Sequence, residues 1–178
     1  MSYKIAINGY GRIGRCILRS FYESTNYHDL RISAINDIAD IKTLAHLTKF
    51  DSTHGRFLGE ISSGDEKLLV NDDVILISQS HEIDRLAWED LNIDLVMECS
   101  GSFTERSVAE QHLQAGAQKV LFSQPAEQDV DATVVYGINH KLLSKEAQII
   151  SNASCTTNSV VPVLKVCLLY TSPSPRDS

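Results

Sequence analysis

Cys155 stands in the run Ser151-Asn-Ala-Ser-Cys-Thr-Thr-Asn158, a thiol among hydroxyls and amides directly after an apolar segment ending at Ile150. A cysteine works as a nucleophile through its thiolate, which a helix N-terminus or a neighbouring histidine favours. Ser154, Thr156, Thr157 and Asn158 are residue types that cap helices, so the setting suits an activated thiol. No histidine follows Cys155 in the chain to act as its base. The competing reading is a buried structural cysteine in a polar turn.

A second chemical signal opens the chain. The apolar run Tyr3-Lys-Ile-Ala-Ile-Asn8 leads into Gly9-Tyr-Gly11-Arg-Ile-Gly14, and Ile13, Cys16, Ile17 and Phe21 follow at helical spacing. Strand, glycine turn and helix in that order form a dinucleotide fingerprint. Gly9 permits the tight turn, Gly11 lets backbone approach a pyrophosphate, and Gly14 lets the helix pack on the strand, while the helix N-terminus favours phosphate. A second strand from Leu30 to Ile35 ends at Asn36-Asp37, which places Asp37 where a partner for the adenosine ribose hydroxyls is expected. A carboxylate there repels the extra phosphate of NADP, so NAD is the expected cofactor. The alternative is an ordinary turn residue at a strand end.

The remaining elements alternate. A helix capped by Asp40 spans Ile41 to Thr48, and short strands are expected at Glu60 to Ser62, Lys67 to Val70 and Val74 to Ser78, the last two joined in a hairpin. A strand from Leu95 to Cys99 precedes a helix with Val108, Gln111, His112 and Ala115 on one face, ended by Gly116. Strands at Lys119 to Phe122, Ala132 to Tyr136 and Ala147 to Ile150 follow, then a helix over Val160 to Val166. This order predicts an α/β fold of Rossmann type, a doubly wound and mostly parallel sheet, with ligands at the carboxyl ends of its strands. The loops after those strands would then bring Cys155 beside the cofactor.

Composition narrows the class. At 178 residues, 43% hydrophobic and with net charge -7, the chain can bury one core and offers no extended basic surface, so no nucleic-acid partner is expected. The cysteines at 16, 99, 155 and 167 show no CxxC or metal-ligand spacing. His28, His46, His54, His81, His112 and His140 are equally scattered, so no metal site is expected. The chain opens with a strand in place of a signal peptide or membrane span, which points to a reducing, cytoplasmic location without a membrane partner.

Three segments carry a family resemblance: Ala6-Ile-Asn-Gly-Tyr-Gly-Arg-Ile-Gly-Arg15, Asp51-Ser-Thr-His-Gly-Arg-Phe57 and Ser151 to Asn158. They resemble signatures of the glyceraldehyde-3-phosphate dehydrogenase family. Val120-Leu-Phe-Ser-Gln-Pro125 and Asp131-Ala-Thr-Val-Val-Tyr-Gly-Ile-Asn139 look more like its erythrose-4-phosphate dehydrogenase branch than its glycolytic branch, which remains the alternative. The resemblance implies an NAD-dependent enzyme acting on a sugar-phosphate aldehyde, homotetrameric at full length. It implies that Cys155 is the nucleophile, with Ser154 and Thr156 helping to hold substrate or phosphate. It also implies that Arg12 and Ile13 lie under the pyrophosphate, that Asp37 meets the ribose, and that Ser100, Phe103 and Ser123 line the cofactor cleft. One departure is Ser80-His81-Glu82, where the family often has an arginine near the adenine.

The base histidine and the phosphate-binding arginine and threonine of the family would lie beyond this chain. The run Cys167-Leu-Leu-Tyr-Thr-Ser-Pro-Ser-Pro-Arg-Asp-Ser178 resembles the conceptual translation of a sequencing-library adaptor, with a natural low-complexity tail as the alternative. The expected organisation is therefore an NAD-binding domain over residues 1–151, the start of a catalytic domain over 152–166, and a non-native tail over 167–178. A reading from another class, a non-catalytic NAD-binding module, stands for the chain by itself.

Overall fold

The computed structural model describes residues 2–24 and 29–170, so His28 and residues 171–178 of the adaptor-like run lie outside the described residues. Strand β1 (Tyr3–Asn8), helix α1 (Arg12–Glu23), strand β2 (Leu30–Asn36) and helix α2 (Ile41–Lys49) come first. As its position predicts, Asp40 caps α2, its carboxylate accepting from the Thr43 amide at 3.0 Å. A small ribbon of β3 (Phe50–Asp51) and β4 (Gly55–Arg56) leads to an antiparallel meander of β5 (Ile61–Gly64), β6 (Lys67–Val70) and β7 (Asp73–Ser78). Then follow a short α3 (Trp88–Leu91), β8 (Leu95–Glu98), α4 (Arg106–Gln114), β9 (Lys119–Phe122), β10 (Ala132–Thr133), β11 (Ile149–Ser151) and α5 (Cys155–Tyr170).

The strands form one sheet in the order β10-β11-β9-β8-β1-β2-β7-β6-β5, parallel from β10 to β7 and antiparallel beyond. Both faces are covered. Ile7 packs with Leu18 of α1 and Leu44 of α2, whereas the preceding Ala6 belongs to a cluster with Trp88, Val96 and Ala117. Strands buried on both sides need apolar residues at consecutive positions, which is why β1 reads as a continuous run. The chain leaves β1 toward β2 on one side and returns at β8 on the other. That reversal opens a crevice at the carboxyl end of β1.

Several expected elements differ in extent, three of them for reasons visible in the chain. The strand expected over Ala132 to Tyr136 stops at Thr133, because the Asn139 side chain takes the Val135 amide at 2.7 Å and donates to the Thr133 carbonyl at 2.9 Å. Those backbone groups are then lost to a ladder. The next strand begins at Ile149 and not at Ala147, since the Asp131 carboxylate holds the Gln148 and Ile149 amides at 2.8 and 3.0 Å. Helix α5 starts at Cys155, earlier than Val160, and runs to Tyr170, four residues past the expected end at Val166. Its extension follows from Leu168 and Leu169, which favour helix, and the helix continues through Pro162 in its interior.

Candidate functional site

Two clefts flank the start of α1, one lined by Gly11 and the other by Ile13. The first, of about 300 Å³, lies over the carboxyl ends of β1, β2 and β8 and is lined by Gly9, Gly11, Asp37, Ser100 and Phe103 among others. Gly9 has φ +87°, and a Cβ there would come within 2.4 Å of the Ser100 backbone. Gly14 packs as tightly under the turn, where a Cβ would meet the Gly9 carbonyl at 2.5 Å. Gly11 is different: a Cβ would meet no protein atom within 4 Å. Its open face borders the cleft. No side chain caps the start of α1, so its first-turn amides keep their donors free of a capping partner.

Asp37 sits at the rim of this cleft with both oxygens anchored. One accepts from the Tyr10 amide at 2.7 Å and the other from the Ala39 amide at 2.9 Å. The glycine turn and the end of β2 are thereby tied together.

The second cleft, of about 390 Å³, is walled by Ile13 and Ile17 of α1, Met97, Leu121, Ser123, and Asn152, Ala153, Cys155 and Asn158 of the octapeptide. Ser154 is the N-cap of α5, its hydroxyl accepting from the Thr157 amide at 2.9 Å. This makes Cys155 the first helical residue, with an exposed thiol. The helix amides there favour an anion. Asn158 folds the loop back on itself, donating to the carbonyls of Asn152 at 2.6 Å and Ser154 at 3.0 Å. Ala153 holds φ +56°, with its amide on the Ser151 hydroxyl at 3.1 Å, a left-handed turn that aims the cysteine. By contrast Cys99 is buried, and burial pushes its thiol up to about 12. It is no candidate nucleophile.

The predicted site residues thus divide by place. Gly9, Gly11, Asp37, Ser100 and Phe103 line the first cleft, and Ile13, Ser123 and Cys155 the second. Arg12 and Thr156 are exposed and line neither, Gly14 is buried beneath the turn, and Ser154 serves as the cap. Sequence reasoning missed Asn8, Ser80 and Ile83 as lining, placed Asn36 at the cleft only as part of the loop with Asp37, and left His81 unassigned. The available signal was an asparagine ending each of two apolar strands. The Asp51 to Phe57 signature lies elsewhere: Asp51 caps its own turn, and the His54 and Thr53 amides hold its carboxyl down to about 2. The buried Arg19 of α1 donates to the Gly55 carbonyl of that turn at 3.0 Å. Among the described residues no group of three His, Cys, Asp or Glu is placed to hold a metal, and no helix is long and apolar enough to cross a membrane.

Residues 3–106, which include β1 through β8 and both walls of the first cleft, match the family described as "Glyceraldehyde 3-phosphate dehydrogenase, NAD binding domain". The chain belongs to the glyceraldehyde 3-phosphate dehydrogenase family. It is 50% identical over 165 residues to the plasmid glyceraldehyde-3-phosphate dehydrogenase of Cupriavidus necator and equally to the chromosomal one, covering 93% of this chain. The chain spans about half (49%) of the length of these curated relatives.

The residues of this glyceraldehyde 3-phosphate dehydrogenase family domain suit NAD. The open face of Gly11 leaves room for a pyrophosphate beside the uncapped start of α1, and the anchored Asp37 offers acceptors toward ribose hydroxyls. Filling that space should separate binding from folding. Gly11→Val is expected to weaken NAD binding by about tenfold or more, with the melting temperature almost unchanged. Calorimetric titration paired with thermal melts would show this, and undiminished affinity would mean that the phosphates lie elsewhere.

Proposed function

We propose that the complete protein is an NAD-dependent dehydrogenase of a phosphorylated aldehyde, with Cys155 as its nucleophile. The observation that carries this reading is the exposed Cys155 thiol, first residue of α5, in the wall of a cleft shared with the N-terminal turn of α1. The thiolate adds to the aldehyde carbon and forms a thiohemiacetal, whose oxyanion the Cys155 amide helps to stabilise. Gly9, Gly11 and Asp37 would hold NAD, which would supply the hydride acceptor for that carbon. The resulting thioester on Cys155 is then released by attack of water or inorganic phosphate. Ser154 and Thr156 flank the thiol and assist in holding the substrate, Ser100 and Phe103 shape the first cleft for the cofactor, and Ser123 lines the second beside Cys155. A histidine outside this chain takes the proton.

D-erythrose 4-phosphate is the proposed substrate, with 4-phosphoerythronate as product, on the strength of the segments Val120 to Pro125 and Asp131 to Asn139. D-glyceraldehyde 3-phosphate is the second reading, favoured by the 50% identity to two glyceraldehyde-3-phosphate dehydrogenases. The two are separated by offering the complete enzyme both aldehydes with and without inorganic phosphate. Phosphate-independent turnover of the four-carbon substrate is expected. Preferred, phosphate-dependent turnover of the three-carbon substrate would replace that reading with the second. The complete protein is further proposed to be a cytoplasmic homotetramer. For the 178-residue chain alone, weak NAD binding at most and no turnover are expected, because no histidine follows Cys155.

A further inference from the structure

A single buried carboxylate organises the floor of the first cleft. Asn36, Asn8 and Glu98 lie side by side in register at the ends of β2, β1 and β8. Glu98 is fully buried. Its Oε2 accepts from Asn8 Nδ2 at 2.5 Å, and its Oε1 accepts from the Ser100 amide at 2.8 Å and the Ser100 hydroxyl at 2.5 Å. His112 of α4, also fully buried, places Nε2 at 3.1 Å from Oε2. Trp88 Nε1 donates to His112 Nδ1 at 3.0 Å, so the imidazole carries its proton on Nε2 and gives that hydrogen bond to Glu98. On the other side Asn36 Nδ2 donates to Asn8 Oδ1 at 2.8 Å, and the Ser80 amide donates to Asn36 Oδ1 at 2.9 Å.

Asn36 Nδ2 also donates outward to the Ser80 carbonyl at 3.0 Å, and every other bond in this chain points inward. Donors run from Trp88 at one end and Ser80 at the other, and all end on a group that only accepts. Asn8, Asn36, Ser80 and Ser100 line the cleft, whereas Glu98, His112 and Trp88 lie behind it. Burial alone would raise the Glu98 carboxyl, but the hydrogen bonds from His112, Ser100 and Asn8 outweigh it and hold the group below its ordinary value.

We propose that Glu98 is a positioning residue for the dinucleotide, its carboxylate setting the direction of the Asn8 and Asn36 amides and the course of the Ser100 turn. This rests on the NAD-dependent reading above. Glu98→Gln keeps the shape but brings a donor. The oxygen has to stay on the Ser100 amide, so the new NH₂ faces Asn8 Nδ2 and His112 Nε2. If Asn8 flips, its Nδ2 meets that of Asn36, and if Asn36 flips it meets the Ser80 amide. If the imidazole proton moves to Nδ1, it meets the indole N–H of Trp88. Neither a backbone amide nor an indole can reverse its role. Relief requires movement of Ser80 or Ser100, which are walls of the cleft.

The test uses the 178-residue chain, with NAD titrated calorimetrically and amide exchange followed at Ser80, Ser100 and, as a reference, Val120 of β9. Glu98→Gln and His112→Leu are each expected to weaken NAD binding by about tenfold or more and to speed exchange at Ser80 and Ser100 but not at Val120. His112→Gln keeps a donor toward Glu98 and should stay near wild type. Thr48→Val, which removes the buried Thr48 hydroxyl from Tyr10 at 2.9 Å, should lower the melting temperature and leave NAD affinity and Ser100 exchange alone. Wild-type affinity and exchange in both Glu98→Gln and His112→Leu would overturn the proposal, as would losses that only track the melting temperature. Should Glu98→Gln fail to fold, the His112 pair decides. A wild-type chain that takes up no NAD would defeat the functional reading instead, and the exchange comparison would still decide the role of Glu98.

Discussion

Cys155→Ser in the complete protein is expected to lower dehydrogenase turnover by about 10³-fold or more, equivalent to about 4 kcal/mol of barrier. A serine hydroxyl is similar in size but stays protonated at neutral pH, so the helix N-terminus has no anion to favour. The loss should fall on kcat and leave NAD affinity intact, because the thiol lies in the second cleft and Gly11 in the first. Stability should move by about 0.5 kcal/mol at most, as Cys155 is exposed. Steady-state kinetics with a thermal melt would separate these effects. Retention of more than about a tenth of wild-type turnover, well short of the expected loss, would remove Cys155 from its assigned role.

Gly9→Ala should act on the fold in the opposite proportion. The φ of +87° costs an L-residue roughly 1–2 kcal/mol by itself. The added Cβ would also lie 2.4 Å from backbone atoms of Ser100, which cannot swing aside as the end of a flexible side chain could. Forcing the β1 turn from the β8 turn adds about 1–3 kcal/mol. A domain with some 5–15 kcal/mol in hand would lose a large part of its stability. Urea unfolding of the 178-residue chain is the direct measure, and a change below about 0.5 kcal/mol would show that the two turns are not locked together as described. Gly9 and Gly11 are thus the same residue type two positions apart with different duties. One is required by the protein's own backbone, and the other leaves room for a ligand.

That difference marks the limit of reading the chain. The glycine triplet, Asp37 and the octapeptide were legible because local chemistry, turn geometry and capping dictate those residue types. Even so, the Ser154 cap that starts α5 at Cys155 was anticipated only as a class of residue, and the helix was expected further on. The strand after Asp131 was overextended because Asn139 reaches back across the turn to take its backbone groups, a side-chain choice that periodicity does not encode.

Glu98 shows the limit most clearly. In sequence it is an acidic residue at the end of an apolar strand, indistinguishable from a solvent-facing terminus. Its burial is tolerable only because Asn8, His112 and Ser100 supply donors from 90, 14 and 2 positions away. Residue types and short spacings by themselves determined the strand, glycine turn and helix, the family signatures and the identity of the candidate nucleophile, since each depends on interactions within a few residues. Only the tertiary structure decided that the two clefts flank the start of α1, that Gly9 is pinned by Ser100, and that Glu98 lies behind the cleft as a buried acceptor. Those facts depend on distant segments meeting at the carboxyl ends of the central strands, where desolvation makes each unpaired polar group costly and so selects a single arrangement of partners.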